Sequence, residues 1–223
     1  TSVVSTTDWQ HAVAVFDPTG NGCKVFLDGV DVTLNSDNTG DGFPNTAALV
    51  AYIGGLNKAQ YNFNGKISNV RAFNAALTAA QVEQLYVRRW TGTNYDTEAL
   101  WLSPPASPVI STASEATALM ANCVAWWPLT KGSGGTATDL VGSNDGTLTS
   151  GISWDNGSLG NASEHPSAAG EYISTGLDLA GKSAVTVSAW IRNDGSSAGN
   201  SFGKIVSQSH SGNFDTYKAK KVG

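Results

Sequence analysis

Charged residues, long apolar runs and cysteines are all scarce in this sequence. Only 14% of the 223 residues are charged, and a net charge of −5 provides no basic face for the phosphates of a nucleic acid. No apolar run approaches the ~20 residues that span a bilayer. The two cysteines, Cys23 and Cys123, are too few for a disulfide framework and could be either bridged or free. These shortages argue against both a nucleic-acid partner and membrane insertion.

The sequence also lacks the patterns of common catalytic sites. Glycoside hydrolysis uses two carboxylates that flank the scissile bond, and no ExDxxE run supplies them here. The Gly-Ser-Gly-Gly run at 132–135 has the form of a plain turn and not of a phosphate-binding loop. We therefore predict that the protein is not an enzyme. The glutamates are scattered and the histidines few: Glu83, Glu98, Glu115, Glu164, Glu171, His11, His165 and His210.

Short strand-like segments separated by turns fill most of the chain. Residues 9–16 are β-branched and aromatic, and Asp28-Gly29 between apolar segments is a strong hairpin signal. Residues 185–192 alternate, which places Trp190 opposite four apolar neighbours. Thr78 with Gln81 forms a capping box that begins a short helix. The pattern predicts an all-β, two-sheet antiparallel sandwich with one or two short helices.

Two sets of segments resemble a known family. The later set consists of AWWPLTKGSGGTATDLVGSNDGTL, EYISTG, AVTVSAWIR and KIVSQ, and the earlier set of TDWQHAVAVFD, KVFLDGV, YIGG and FNGKISNVRAFNAALTAAQVEQLY. The later set resembles the start of a laminin-G-like, concanavalin A-like lectin/glucanase domain, and the earlier set resembles its end. The resemblance implies a jelly-roll sandwich of two curved antiparallel sheets, with Trp126, Trp190 and Phe73 as its aromatic core.

The order of the two sets is inverted relative to the family. Residues 1–89 would be the C-terminal half of the jelly roll, 90–123 a Pro-rich linker or arm with a short helix, and 124–223 the N-terminal half. A circular permutation, an exchange of strands between copies, or a cut through tandem domains could each produce this order. We favour the permutant, in which Trp126 shares a core with Phe73 and Ile67.

Aromatic and oxygen-bearing side chains in turns and short strands are the candidate site residues. Sugar faces stack on aromatic rings, although each ring could equally serve core packing. The ligand-binding candidates are Tyr52, Tyr61, Trp154 and Tyr172. Calcium is common in the wider superfamily and takes oxygen ligands, which Asp139, Asn144 and Asp145 could supply. Asn-Asp-Gly at 144–146 is equally a turn sequence.

Two functions follow as hypotheses. The first is a non-catalytic binding or adhesion module, extracellular or on a virion surface, that recognises a glycan or a surface protein. The alternative is a structural or decoration subunit that assembles with other copies of itself or with a capsid or array protein. The Pro-rich stretch at 102–109 and its aromatic neighbours, such as Trp90, Tyr95 and Trp101, could dock on such a neighbour.

Overall fold

A computed structural model of the chain describes most of the predicted sandwich. The described residues are 8–17, 22–33, 50–55, 62–87, 118–149, 151–157, 160–166, 170–195 and 204–207. The strands are β1 Gln10–Asp17, β2 Gly22–Leu27, β3 Val30–Asp31, β4 Val50–Ile53, β5 Asn64–Phe73, β6 Cys123–Trp127, β7 Thr136–Ala137, β8 Gly146–Leu148, β9 Ser153–Gly157, β10 Gly160–Pro166, β11 Ile173–Asp178, β12 Val185–Asn193 and β13 Val206–Ser207. Helix α1 spans Ala79–Val87, and residues 118–120 are also helical.

The described strands form two antiparallel sheets, as the sequence predicts. The larger, eight-stranded sheet has the order β3-β2-β1-β12-β5-β10-β9, with β6 also paired to β5. The smaller, five-stranded sheet has the order β13-β4-β11-β8-β7. Together they are consistent with a concanavalin A-like sandwich, so the predicted fold class is confirmed.

Both sheets contain strands from both halves of the chain, paired directly with one another. In the larger sheet β12 lies between β1 and β5, so that Ala12 pairs with Ala189 and Ala72 with Val187. In the smaller sheet β4 lies between β13 and β11. Each half therefore leaves strand edges that the other half covers. Circular permutation, with 90–123 as the joining segment, stays a prediction, because most of that segment lies outside the described residues.

The core between the sheets is built from alternate residues of the strands. The four apolar positions of β12 all point into it, as the period-2 pattern predicts. The same alternation at Trp126-Trp127 sends Trp127 inwards, where it is 1% exposed. Other members include Ile53, Ile67, Val70, Ile173, Val185, Val187, Ala189 and Ile191.

A second apolar cluster lies on the outer face of the larger sheet. It joins Trp126 and Phe73 to helix α1 through Val82 and Leu85. Trp126 therefore shares a cluster with Phe73, as expected, but not with Ile67, which faces the inter-sheet core. The expected aromatic core of Trp126, Trp190 and Phe73 is also wrong, because Trp126 and Phe73 lie in this outer cluster and not between the sheets. Trp126 follows inward-facing Ala125, so alternation turns it outwards.

Trp190 is buried against different partners on the same outer face. Its ring lies 5.3 Å from the His11 ring and 5.8 Å from Tyr86 of α1, between ring centroids. His11 in turn stacks on Tyr86 at 6.1 Å. Helix α1 thus seals this face through both apolar and aromatic contacts.

Local signals in the sequence are reproduced in detail. Gln81 N donates to Thr78 Oγ1 at 3.3 Å, and Thr78 N donates to Gln81 Oε1 at 2.9 Å, which completes the capping box. Asp28 and Gly29 have φ of 50° and 80°, as a tight hairpin turn requires. The second predicted capping box, at 112–115, lies outside the described residues.

Both cysteines are free thiols, which answers the alternative left open by the sequence. Cys123 is buried at the start of β6, and Cys23 is partly buried in β2. Within the described ranges, no helix has the length and apolar character needed to cross a membrane.

Candidate functional site

Two of the predicted ligand-binding residues meet on the outer face of the smaller sheet. Ala51 and Ile53 of β4 point into the core, so alternation turns Tyr52 outwards. Tyr172 precedes Ile173, which is also a core residue, and so faces the same way. The two rings contact edge to face, with their centroids 5.1 Å apart. Both side chains are only partly buried.

A row of hydroxyl groups extends from this tyrosine pair across the sheet. Tyr52 pairs with Ser174, Ser174 with Thr147, and Thr147 with Thr136 in successive strands. Thr147 and Thr136 are exposed, and Ser174 is partly exposed. We call the surface formed by Tyr52, Tyr172, Ser174, Thr147 and Thr136 the tyrosine face. The sequence analysis missed its hydroxyl members, which alternation with Ala137 and Ile173 could have revealed.

Two hydroxyl groups, that of buried Thr175 and that of partly buried Thr149, fix the backbone beneath the tyrosine face. Thr175 Oγ1 donates to Ala51 O at 2.7 Å, which joins β11 to β4. Thr149 forms two hydrogen bonds with the main chain of Tyr172: its Oγ1 donates to Tyr172 O at 2.8 Å and accepts from Tyr172 N at 2.9 Å. Such side chain–backbone bonds hold the main chain of Tyr172 in place, which limits the entropy lost when a ligand binds.

A third ligand-binding candidate, Trp154, does not join this surface. Trp154 lies on β9 in the larger sheet, where it packs against the inter-sheet core. Its indole Nε1 donates to Gly134 O at 2.7 Å, which ties the 132–135 turn to β9. Trp154 therefore has a packing role in addition to any ligand contact. Tyr61 lies outside the described residues.

The predicted calcium ligands form a turn organised around one carboxylate. Asp139 Oδ1 accepts hydrogen bonds from the amides of Trp126, Val141 and Gly142, at 2.9–3.1 Å. Its Oδ2 accepts from the backbone N and side-chain Nδ2 of Asn144, at 3.1 and 2.9 Å. Asp145 Oδ1 is occupied by the amide of Asp139, at 2.8 Å. Backbone and side-chain amide hydrogens thus bond to both oxygens of Asp139 and to one oxygen of Asp145.

The electrostatics of Asp139 agree with this structural role. Burial would raise the pKa of Asp139, but the bonds from Trp126, Val141, Asn144 and Gly142 outweigh it and lower the pKa. In the described part of the chain, no group of three or more His, Cys, Asp or Glu side chains could hold a metal ion. Protein donors use both oxygens of Asp139 and Oδ1 of Asp145, which favours the turn, and calcium binding at this loop stays a prediction. Calcium binding by this loop can be checked by titration.

A charged cluster brings two separated carboxylates together on the outer face of the larger sheet. Lys66 is 7% exposed and forms an ion pair with Asp155, and its Nζ lies 3.6 Å from Glu164 Oε2. Burial raises the pKa of Glu164. Lys66 lies within ion-pair distance of both carboxylates, and its single positive charge balances one of their two negative charges.

Ser163 and His165 are hydrogen-bonded, but not as a nucleophile and its base. Ser163 Oγ donates to Ile67 O at 3.1 Å and lies 3.0 Å from His165 Nε2. The donor in the contact with Nε2 depends on the tautomer of His165. Both residues have 0% exposure. A side chain added at Gly54 would lie 2.1 Å from the His165 ring, so glycine is required there. The pair is a packed, structural contact.

Comparison with known proteins agrees with this fold. Residues 1–83 match the model of the concanavalin A-like lectin/glucanases superfamily. The match covers strands β1 to β5 and the first residues of α1, and it confirms the resemblance seen in that half of the chain. Comparisons with curated proteins and with solved structures gave no significant match.

The family indicates a general type of function. Laminin G-like and concanavalin A-like domains are typically non-catalytic binding modules that recognise glycans or proteins, and laminin G-like domains are usually extracellular. The family match therefore supports a function in binding.

Proposed function

We propose that this chain is a non-catalytic binding module, outside the cell or on a virion surface, that recognises a glycan on the tyrosine face. The observation that carries the proposal is the edge-to-face pair of Tyr52 and Tyr172, partly exposed beside a row of hydroxyl groups. The usual setting of laminin G-like domains supports the location.

The chemistry of this surface matches that of a sugar. The face of an aromatic ring carries negative charge density, which attracts the partly positive C–H groups on one side of a pyranose. Hydroxyl groups both donate and accept hydrogen bonds, as sugar hydroxyls do, so Ser174, Thr147 and Thr136 can pair with them in either sense. With the strands already fixed by Thr175 and Thr149, ordering costs on binding are small.

A glycan array followed by calorimetric titration of the best ligand tests the proposal. We expect Tyr52→Ala and Tyr172→Ala each to weaken binding by about tenfold or more, which corresponds to roughly 1.4 kcal/mol. Tyr52→Phe keeps the ring and should retain most of the affinity.

Trp154→Phe is the matched aromatic control, because Trp154 is a ring on the other sheet. It should leave binding unchanged while removing the bond to Gly134. A loss of binding in Trp154→Phe with none in Tyr52→Ala would place the ligand on the larger sheet and contradict the proposal.

Assembly as a structural or decoration subunit is the competing outcome. Its predicted arm lies outside the described residues, and the tyrosine face gives it no specific support. Sedimentation of the wild-type chain as a polymer, together with a blank glycan array, would favour it.

A further inference from the structure

Arg71 is a buried cation in the middle of the larger sheet. It lies on β5 with its side chain on the outer face, and it is 1% exposed. Across the strand pairing, it stands between Ser188 of β12 and Trp126 of β6. Its guanidinium carbon lies 4.9 Å from the centre of the Trp126 ring. The ring covers one side of the guanidinium and leaves its edge for hydrogen bonding.

That edge has no hydrogen-bond partner among the described residues. Nε and Nη2 of Arg71 are both buried and unpaired. The hydroxyl of Ser188, opposite Arg71, and Nδ2 of Asn69 are likewise buried without a partner. Asn69 belongs to the same group, because its Oδ1 accepts from the Trp126 indole at 2.7 Å. Buried polar groups are rarely left unpaired, and here several lie around one cation.

Arg71 forms no ion pair with a carboxylate in the described ranges. Burial lowers its pKa to about 10, so the guanidinium stays charged near pH 7. Burial, with help from Arg71, lowers the pKa of His11 to about 3, which leaves the imidazole neutral. Burial raises the pKa of the Cys123 thiol to about 11, so the thiol is neutral too. The ionisable neighbours that act on Arg71 therefore carry no compensating charge.

A second arginine in the same sheet indicates what fits this edge. Arg192 Nε donates to Asp194 Oδ1 at 2.9 Å, and its Nη2 donates to Asp194 Oδ2 at 3.0 Å. These are the same two nitrogens that Arg71 leaves unpaired. Two parallel N–H groups match the two oxygens of a carboxylate, and such forked pairs are among the stronger hydrogen bonds in proteins.

We propose that Arg71, with Ser188 and Asn69, forms a binding site for a small organic carboxylate on the outer face of the larger sheet. The carboxylate accepts from Nε and Nη2 of Arg71, and the Ser188 hydroxyl and the Asn69 amide supply further donors. The ligand is small because Arg71 is almost fully covered. The site is distinct from the tyrosine face, which lies on the other sheet.

Thermal unfolding of the full chain in acetate tests the site. Acetate replaces chloride stepwise at constant ionic strength and pH 7, and the wild-type Tm should rise along a saturating curve by about 5 °C or more. Arg71→Met should abolish this rise. Arg192→Met, which removes an arginine already paired with Asp194, should keep it. Ser188→Ala should shift the curve to higher acetate concentration.

A second measurement covers the case in which Arg71→Met does not fold. In the wild type, the Arg71 Nε–H signal in an NMR spectrum, assigned by its loss in Arg71→Lys, should move on acetate titration and saturate with the Tm curve. An unmoved signal, or an equal rise in Tm for Arg71→Met, would overturn the proposal. Equal stabilisation by sulfate or nitrate would overturn the choice of a carboxylate.

Discussion

Strand alternation directs side chains to the outer faces of both sheets, but these side chains are buried on the larger sheet and exposed on the smaller one. On the larger sheet, the outward residues of β1, β12, β5 and β6 are almost fully buried under helix α1 and its neighbours. On the smaller sheet, the outward residues around Tyr52 and Tyr172 are partly or fully exposed. An aromatic side chain that faces away from the core is therefore structural on one sheet and available to a ligand on the other.

The difference follows from what covers each sheet. The capping box at Thr78 begins α1 directly after β5, so the helix folds back over the strand that precedes it. Its Val82 and Leu85 meet Phe73 and Trp126. Because this covering buries the aromatic rings of the larger sheet's outer face, we assign glycan binding to the smaller sheet.

Trp126→Ala is expected to have the largest effect on stability. The variant should lose about 3–5 kcal/mol of unfolding free energy, because a buried ring is removed and a cavity remains. Tyr52→Ala should lose about 1 kcal/mol or less, since its ring is partly exposed. Urea denaturation of both variants measures the contrast. Comparable losses would mean that both faces are structural.

Asp139→Asn should have the next largest effect. Roughly 2–3 kcal/mol should be lost, because amides that donate to the carboxylate lose a charged acceptor. The lowered pKa of Asp139 means that its contribution is present above the unfolded value near 3.8 and is lost as pH falls further. The stability difference between wild type and Asp139→Asn should therefore shrink below about pH 4. Asp178→Asn, an exposed cap on Ala180, is the matched control.

The buried histidines should make the fold sensitive to mild acid. Burial lowers the pKa of His165 from 6.5 to about 3, so the unfolded state binds the proton first as pH falls. The contribution of neutral, buried His165 to the free energy of unfolding is complete above pH 6.5 and is lost as the pH falls towards 3. Between pH 7 and 5 the wild type should lose about 2 kcal/mol more than His165→Gln. Because His11 is present in both proteins, its contribution to the pH dependence cancels. If the free energy of unfolding changed equally with pH in both proteins, His165 would not be buried and neutral.

Thr147→Ala should have the smallest effect on stability and a measurable one on binding. The side chain is exposed, so the free energy of unfolding should change by about 0.5 kcal/mol or less. Loss of one hydrogen bond should weaken the affinity for a glycan about three- to tenfold. Thr138 is also exposed but lies outside the row of paired hydroxyl residues, so Thr138→Ala should change neither the stability nor the affinity for a glycan. Equal affinity of both variants would remove Thr147 from the site.

The sequence predicts the local structure better than the choice of faces. The Asp28-Gly29 turn, the Thr78 cap and the alternation of β12 depend on neighbouring residues, and each is confirmed. Which face of a sheet is covered depends on contacts distant in sequence. The placement of Trp126 outside the inter-sheet core was therefore not anticipated, although the pair Trp126-Trp127 must place one ring on each side.

The candidate site shows the same limit. Tyr52 and Tyr172 were predicted singly, but their contact comes from the pairing of β4 with β11, which are separated by more than a hundred residues. For Asp139, Asn144 and Asp145, oxygen-rich composition suits both calcium and a turn. Only the positions of the surrounding amides favour the turn.

Hydroxyl-radical footprinting with and without the best glycan from the array tests the central claim most directly. If the tyrosine face binds the ligand, oxidation of Tyr52 and Tyr172 should fall together on binding, while Trp154 and Trp126 react as before. Unchanged oxidation of both tyrosines, with protection on the larger sheet, would contradict the account.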